Sequence, residues 1–257
     1  MKIYIINMAK SVQRRTKMQQ YIDALPEHLD IEFVEAIDGQ SLTESEITYH
    51  TKKLCMATTK GEIGCALSHI NVYRKMAAEN IPVALILEDD VKIPHDLSSM
   101  LEKLEKSIGH NEVLLLSRPK IYFKKAINTI NNYKIFSVSE ADLASSYIIT
   151  HEAAKKMAEF LYPVWLLADN WGLVKDYKIT SVNCLIPPFF EFNENEKETT
   201  ITGRYIPEIK KNRDKIWRKI RRRRPASLLI KKFFWKRIIR RFNTKKFPII
   251  RMPPPAS

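Results

Sequence analysis

Apolar runs and amphipathic stretches alternate along the first two hundred residues of the chain. Apolar or alternating residues at 2–8, 31–37, 82–87, 112–117, 144–150 and 178–185 are typical of strands. Helical spacing of apolar residues predicts helices at 11–25, 42–49, 59–80, 96–108 and 151–161, and residues 120–139 are predicted to be rich in β-structure. Strands that alternate with helices predict an α/β domain with a mostly parallel sheet flanked by helices.

The stretch at 83–91 is the most distinctive, because five apolar residues run directly into Glu88, Asp89 and Asp90. The apolar part is typical of a buried strand, and open α/β sheets bind ligands at the carboxyl ends of such strands. Adjacent carboxylates repel one another unless a cation or hydrogen-bond donors compensate. Mg²⁺ and Mn²⁺ prefer oxygen ligands and often carry substrate phosphates, so the stretch indicates a metal–phosphate site. A solvated acidic turn is the simpler alternative.

The predicted helix at 59–80 begins with a capping box, in which the side chains of Thr59 and Glu62 accept hydrogen bonds from each other's backbone amides. Ser68 and His69 lie within this helix. Adjacent helical residues point about 100° apart, so these two do not form a nucleophile–base couple. Local considerations alone favour a structural role for both.

Two further positions carry chemistry whose role the local pattern leaves open. Arg14 and Arg15 lie in the first turn of a predicted helix, where cations oppose the helix dipole. An anionic ligand would explain them, and ordinary surface arginines are the simpler interpretation. Asp169 lies in an apolar, aromatic segment. If buried, it has a raised pKa and suits a catalytic base or a ligand-binding group, and otherwise it is the N-cap of the next helix.

Composition narrows the possible classes of protein. Neither G-x-G-x-x-G nor G-x-x-x-x-G-K occurs, and the chain has six glycines, so a glycine-rich phosphate cradle is excluded. The three cysteines, Cys55, Cys65 and Cys184, lack metal-ligand spacing, which argues against a disulfide framework and against a zinc site. Free thiols, with neither a secretory signal nor a membrane-spanning run in the sequence, predict a cytoplasmic protein.

The net charge of +14 is concentrated in residues 210–246, which contain 18 lysines and arginines and one aspartate. The rest of the chain is therefore slightly acidic. Large apolar and aromatic residues are interleaved with these cations in an imperfectly amphipathic helical pattern. Such a segment fits an anionic membrane surface. A solvated charge run and a tail folded back onto the acidic body are the alternatives.

Over about residues 1–202, the chain resembles glycosyltransferase family 25, the bacterial lipooligosaccharide galactosyltransferase group, because several short stretches match that family in the same order. The most specific pair is Gly-Glu-Ile-Gly-Cys-Ala-Leu-Ser-His at 61–69, followed by Leu-Glu-Asp-Asp at 87–90. The other matching stretches are Ile6-Asn7 with Arg14-Arg15, Ala36-Ile37-Asp38-Gly39, Ser146-Tyr147-Ile148-Ile149 with Ala153-Ala154, and Thr199-Thr200-Ile201. At Ala168-Asp169 the family commonly has Pro-Val-Asp, so the acid is kept while its neighbours differ.

The resemblance implies a GT-A-type fold, a UDP-sugar donor (most often UDP-galactose) and inversion at the anomeric carbon. It also implies that Glu88-Asp89-Asp90 is this family's version of the Asp-x-Asp metal motif, with Asp90 and Glu88 holding Mn²⁺ or Mg²⁺. By the same analogy the donor-binding residues are Asn7, Arg14, Glu62, Ser68, His69 and Asp89.

These observations predict an inverting glycosyltransferase that moves a hexose in β linkage to a lipid-linked saccharide acceptor of lipooligosaccharide or lipopolysaccharide. Residues 1–205 are the predicted GT-A-like catalytic domain, and 206–257 are a basic, aromatic-rich, helical tail. The tail is expected to hold the protein peripherally at the inner face of the cytoplasmic membrane. The acceptor hydroxyl needs a base, for which Asp169 is the candidate and Glu88 the alternative.

Two other classes of function compete with this one. A nucleic-acid-binding protein would use the basic tail on phosphates, but it leaves the motifs of 1–205 without a role, so no nucleic-acid partner is expected. A metal-dependent phosphoesterase would use Glu88, Asp89 and Asp90 to activate water. The six histidines form no cluster in the sequence that would support it.

Overall fold

The computed structural model describes residues 1–26, 29–192, 206–224, 228–229 and 243–246. The helices are α1 (Val12–Asp23), α2 (Glu44–His50), α3 (Lys60–Ala78), α4 (Leu97–Ser107), α5 (His151–Leu161), α6 (Trp171–Asp176) and α7 (Pro207–Arg222). The strands are β1 (Lys2–Asn7), β2 (Ile31–Glu35), β3 (Val83–Glu88), β4 (Val91–Lys92), β5 (Glu112–Leu115), β6 (Ile121–Ile130), β7 (Tyr133–Glu140), β8 (Ser146–Thr150), β9 (Ser181–Ile186), β10 (Glu191–Phe192) and β11 (Thr244–Lys246). The elements predicted between residues 2 and 185 are all present, with ends shifted by a few residues.

One large sheet runs through the described residues in the order β11-β6-β7-β9-β5-β8-β3-β1-β2. This sheet is mixed, which corrects the expectation of a mostly parallel one. Strands β2, β1 and β3 are parallel, as are β5 and β9. Strand β8 runs antiparallel between β3 and β5, and β6, β7 and β11 are also antiparallel to their neighbours.

Chain connectivity explains the mixed sheet. Strands β6 and β7 are joined by a tight turn at Asn131, whose φ of 52° is left-handed, and hairpin strands are antiparallel by construction. A short loop at 141–145 then leads into β8, which enters the sheet between β3 and β5 and runs antiparallel to both. The apolar runs in the sequence look the same in either direction, so they could not distinguish these cases.

Helices cover both faces of the sheet, and side chains of each strand alternate between them. On one face α3, α5 and α6 pack over strand residues that include Tyr4 and Ile86. On the other face α1 and α4 pack over residues that include Ile5 and Leu87. Consecutive residues at the end of β3 therefore face opposite sides of the sheet.

Helix α3 begins at the predicted capping box and packs closely against the segment that follows β2. The Thr59 hydroxyl accepts a hydrogen bond from the Glu62 amide, and the Glu62 carboxylate accepts one from the Thr59 amide. A Cβ on Gly64 would lie 2.6 Å from both the Ile37 carbonyl oxygen and the Gly39 amide nitrogen. The start of α3 thus meets this backbone at a distance that only glycine allows.

Helix α7, at the start of the predicted tail, packs against the body. Ile220 is buried, and Ile216 and Trp217 contact the core that α3 also covers. The predicted boundary after residue 205 therefore separates α7 from the body that it contacts. The interleaved residues at 230–242 and the Thr199-Thr200-Ile201 stretch lie outside the described residues. In the described ranges, no helix is both long and apolar enough to cross a membrane.

Candidate functional site

The register of the parallel strands brings several of the predicted site residues to one edge of the sheet. Ile6 of β1 lies opposite Glu88 of β3, so the next residues along each strand, Asn7 and Asp89, are also neighbours. Both strands end here, and the carboxyl end of β5 and the start of β8 lie at the same edge. Ligands of open α/β sheets bind at such an edge.

Asp89 is fixed by two of the residues predicted to bind the donor. Its carboxylate accepts hydrogen bonds from Asn7 Nδ2 at 2.7 Å and from Arg14 Nη1 at 2.9 Å. Burial raises the pKa of the Asp89 carboxyl, while the bonds from Asn7 and Arg14 oppose that shift. Arg15 points elsewhere, with its guanidinium 4.3 Å from the centre of the Phe33 ring. The two adjacent arginines therefore have different surroundings, and only Arg14 joins this cluster.

Glu88 faces the opposite side of the sheet, towards α3. Its Oε1 lies 3.1 Å from Nε2 of His69, which is 1% exposed. The Nδ1 of His69 lies 2.7 Å from the Tyr147 hydroxyl, which in turn lies 2.8 Å from the Tyr73 hydroxyl. Burial raises the pKa of both tyrosines, so they are neutral hydrogen-bonding groups. A buried chain of three side chains thus orients the Glu88 carboxylate.

Buried polar atoms without a hydrogen-bond partner collect at this same edge. They are Oδ1 of Asn7 and the hydroxyls of Ser117, Ser145 and Ser146. Such atoms are costly when buried, so several of them together at a ligand-binding edge are consistent with groups that a ligand satisfies. The three serines were not among the predicted site residues.

Ser68 and Glu62 make their contacts within the protein. The Ser68 hydroxyl donates to the Gly64 carbonyl at 2.8 Å and accepts from the Ile37 amide at 2.8 Å. Glu62 accepts from the amides of the two threonines before it and from Arg213 Nη2 of α7 at 2.6 Å. These bonds stabilise the start of α3 beside the site, and a direct contact of either residue with the donor stays a prediction.

Asp169 and Asp90 are both partly exposed. Asp90 lies in the turn between β3 and β4, directly after the two anchored carboxylates. Asp169 precedes α6, whose N-cap residue is Asn170, so Asp169 is not the N-cap. Two residues further on, the Trp171 ring lies 5.2 Å from the Tyr147 ring, and this contact places the Asp169 segment next to the histidine–tyrosine chain.

Sequence reasoning missed the tyrosines, Cys65 and Arg213. Cys65 and His69 are four residues apart on one helix, a spacing that places them on the same face and could have been noticed. The sulfur of Cys65 and one ligand atom each from His69 and Glu88 lie within 4.8 Å of one another. Tyr73 and Tyr147 resemble ordinary core residues in sequence, and Arg213 lies inside a long charge run, so nothing local distinguishes them.

The fold and this edge define an α/β protein with a cluster of acidic side chains at the carboxyl ends of parallel strands. The chain belongs to glycosyltransferase family 25, whose family model, described as an LPS biosynthesis protein, matches residues 1–171. The resemblance seen in the sequence is thereby confirmed.

Three relatives illustrate the range of the family. The chain is similar to procollagen galactosyltransferase 2 of Homo sapiens, with 27% identity over 171 residues that cover 60% of this chain and 27% of the human protein. A glycosyltransferase 25 family member of Anopheles gambiae is 35% identical over 171 residues, or 60% of this chain and 28% of that protein. A probable inactive glycosyltransferase 25 family member 3 of Rattus norvegicus is 26% identical over 115 residues, which cover 41% of this chain and 20% of that protein.

The matches span about a quarter of the length of these curated relatives, or less. Their names include both a galactosyltransferase and a probable inactive member.

Proposed function

We propose that this chain is an inverting glycosyltransferase that moves galactose, in β linkage, from a UDP-sugar to a saccharide acceptor of lipooligosaccharide or lipopolysaccharide. The observation that carries the proposal is the Asn7–Arg14–Asp89 cluster beside buried hydroxyls without partners, at the carboxyl edge of a family 25 domain. These groups offer what a nucleotide-sugar needs: a carboxylate and an amide for hydroxyls, and a cation close to where phosphates would bind.

The oxygen donors of Glu88 and Asp90 fit a hard cation such as Mn²⁺ or Mg²⁺. The unpartnered Oδ1 of Asn7 shows that this edge has polar capacity that the chain itself leaves unused. Asp90 and Glu88 would hold the ion, which when bound neutralises charge that develops on the UDP leaving group. The GT-A-like arrangement of the fold is part of the same proposal.

The chain's own residues account for the remaining steps. Arg14 and Asn7 fix Asp89, which in turn orients the donor through its free lone pairs. The transition state resembles an oxocarbenium ion, because the bond to the leaving group breaks as the acceptor hydroxyl attacks from the opposite face. Asp169 takes the hydroxyl proton as general base, and Glu88, oriented by His69, is the alternative base.

Release of UDP from a panel of UDP-sugars, with Mn²⁺ and with EDTA, tests the proposal. We expect slow turnover of UDP-galactose that EDTA abolishes, and faster turnover with a saccharide acceptor. A parallel sample contains a simple phosphate monoester, which a metal-dependent phosphoesterase would hydrolyse and a glycosyltransferase would not. No turnover of any UDP-sugar, together with no Mn²⁺-dependent UDP binding, would remove the proposed function.

The tail is proposed to bring the enzyme to an anionic membrane surface that carries a lipid-linked acceptor. In α7 the apolar residues Ile216, Trp217 and Ile220 pack on the body, while these cations of the helix and its C-cap are exposed: Lys210, Lys211, Lys215, Arg218, Lys219, Arg221, Arg222 and Arg223. Attraction by this helix would be electrostatic rather than insertion of its apolar side. Co-sedimentation with anionic vesicles at low salt, lost at high salt, is expected, and no binding at low salt would contradict it.

A further inference from the structure

Cys65, His69 and Glu88 form a cluster of three potential metal ligands of mixed type. Cys65 and His69 lie one turn apart on α3, and Glu88 reaches them from the end of β3. One ligand atom from each residue lies within 4.8 Å of the other two. Two rigid elements therefore bring together a thiol, an imidazole and a carboxylate, among the described residues.

The geometry of the cluster suits a tetrahedral ion. His69 Nε2 and Glu88 Oε1 are 3.1 Å apart. Nitrogen and oxygen ligands that lie about 2.0–2.1 Å from a tetrahedral Zn²⁺ are about 3.3 Å from each other. The distance between His69 Nε2 and Glu88 Oε1 is therefore already close to the distance that zinc requires. The sulfur would need to lie about 3.6 Å from either atom, and the ligand atoms of the three residues already lie within 4.8 Å of one another.

The surroundings of His69 also resemble those of a metal ligand. Metal-binding histidines almost always donate their second ring N–H to a fixed acceptor, which sets the tautomer. The Tyr147 hydroxyl lies 2.7 Å from Nδ1 and is itself 2.8 Å from Tyr73. If Nδ1–H donates to Tyr147 and Tyr147 donates to Tyr73, then loss of the proton between Nε2 and Glu88 leaves the Nε2 lone pair available to an ion.

We infer that Cys65, His69 and Glu88 form a zinc-binding site, which shares Glu88 with the oxygen-only site proposed for the donor's metal. A thiolate with an imidazole selects Zn²⁺ over Mg²⁺ or Mn²⁺, and three protein ligands leave a fourth position for water. Binding releases the Cys65 thiol proton and the proton shared between His69 and Glu88. The spacing of the cysteines in the sequence argues against a zinc site built from several cysteines, and this site uses one cysteine.

Zinc at this site would take the Glu88 carboxylate away from the donor side of the edge. Zn²⁺ is therefore expected to inhibit transfer if the proposed function holds. The inference itself does not depend on that function, because the binding test below measures no transfer.

Cobalt is the probe, because Co²⁺ replaces Zn²⁺ and a thiolate bound to Co²⁺ absorbs in the near ultraviolet. The full chain, reduced and stripped of metal, is titrated with Co²⁺ and then with Zn²⁺. We expect a thiolate–cobalt band that saturates at one equivalent, is bleached by Zn²⁺ and persists in excess Mg²⁺. Absence of the band in the wild-type chain would overturn the inference whatever the variants do.

Matched variants assign the band to its ligands. Cys65→Ser should abolish it, whereas Cys55→Ser, at the other partly exposed cysteine, should leave it unchanged. Tyr147→Phe should weaken Zn²⁺ affinity about 10-fold or more, because outer hydrogen-bond partners typically contribute that much. A band that survives Cys65→Ser would place the metal elsewhere and overturn the assignment.

A measurement on the wild-type chain covers the case in which Cys65→Ser does not fold. Alkylation of each cysteine is followed by peptide mass mapping with and without Zn²⁺. Zn²⁺ should slow alkylation of Cys65 at least about 10-fold, because the bound thiolate is no longer a free nucleophile, while Cys55 reacts at the same rate. Equal rates for Cys65 with and without Zn²⁺ would contradict the site.

Discussion

At the residue scale, the three consecutive carboxylates at the end of β3 have three different environments. Glu88 is oriented by His69 on the α3 side, Asp89 by Asn7 and Arg14 on the α1 side, and Asp90 is partly exposed in the turn. Donors compensate the two anchored groups, so most of the repulsion expected from the sequence is removed within the protein. The cluster can therefore be stable before any cation binds.

Arg14 and Arg15 offer a matched pair for testing this arrangement. Arg14→Met removes the charged donor to Asp89, and we expect UDP to bind about 10- to 100-fold more weakly, since a hydrogen bond to a charged group contributes about 1.5–3 kcal/mol. Arg15→Met keeps an apolar side chain near Phe33 and should leave UDP affinity unchanged. Calorimetric titration of UDP measures both, and equal losses in the two variants would argue against a specific role for Arg14.

The variant Asp169→Asn tests whether Asp169 is the general base that takes the proton of the acceptor hydroxyl. We expect kcat to fall about 100-fold or more with UDP affinity retained, because the amide cannot accept the acceptor's proton. Asp176→Asn is the control, since Asp176 pairs with Arg224 and has no proposed part in the reaction. An unchanged kcat in the Asp169 variant would shift the assignment to Glu88.

At the element scale, α3 connects the site to the rest of the fold. Its first turn is fixed by the capping box, by close backbone packing on 37–39 and by Arg213 of α7. Its next turns carry Cys65 and His69 to the carboxyl edge of the sheet. Small movements at the start of the helix would therefore displace these ligating side chains.

Gly64→Ala tests the close packing. The new Cβ would clash with backbone atoms at 2.6 Å, so we expect a loss of about 1–3 kcal/mol in unfolding free energy, or more if the helix cannot shift. Gly172→Ala in α6 is the control, because nothing lies within 4 Å of its added Cβ, and alanine should leave stability unchanged or raise it by up to about 1 kcal/mol. Urea denaturation of both variants measures the difference, and a neutral Gly64→Ala would disprove the tight contact.

Arg213→Ala tests the attachment of α7. Glu62 is almost fully buried, so loss of its charged donor should cost about 1.5–3 kcal/mol locally and increase hydrogen exchange in α7 and the first turn of α3. Arg218→Ala, on the exposed side, should have little effect. If the exchange rates of the two variants match, the ion pair contributes nothing to docking.

At the whole-molecule scale, a slightly acidic body carries a strongly basic C-terminal region, part of which belongs to the packed fold. Ion pairs from Arg213 and Arg224 and the burial of Ile220 dock α7 onto the body. The outer cations of the helix remain exposed. One helix thus contributes to the core with one side and to the surface charge with the other.

Two truncations distinguish these contributions. A chain that ends at residue 205 should melt about 5 °C or more below one that ends at 224, because loss of α7 exposes the core under Ile220 and each buried large apolar side chain contributes about 1.5–3 kcal/mol. Both lose the rest of the tail, so the comparison isolates α7. Equal melting temperatures would show that α7 does not stabilise the body.

Local patterns in the sequence predicted the elements, the capping box at Thr59 and the acid-tipped strand, because each depends on neighbouring residues. Two features depend on long-range contacts and were missed: the antiparallel insertion of β8 and the Tyr73–Tyr147–His69 chain. The docking of α7 is one of the alternatives that the sequence leaves open for the tail. Partners in these features are separated by about 30 to 150 residues, and one sequence carries no local sign of such pairing.

Because side chains of β3 alternate between the two faces of the sheet, the site is sensitive to whether an odd or an even number of residues is deleted from this strand. Deleting one residue within β3 would swap the two anchored acids, turning the glutamate towards α1 and the aspartate towards α3, so that both would lose their donors at once. Deleting two residues would shorten the strand but keep odd and even positions on their original sides. Within β3, changes in length should therefore be tolerated when they involve an even number of residues. In the loop that precedes β3, changes of any length should be tolerated.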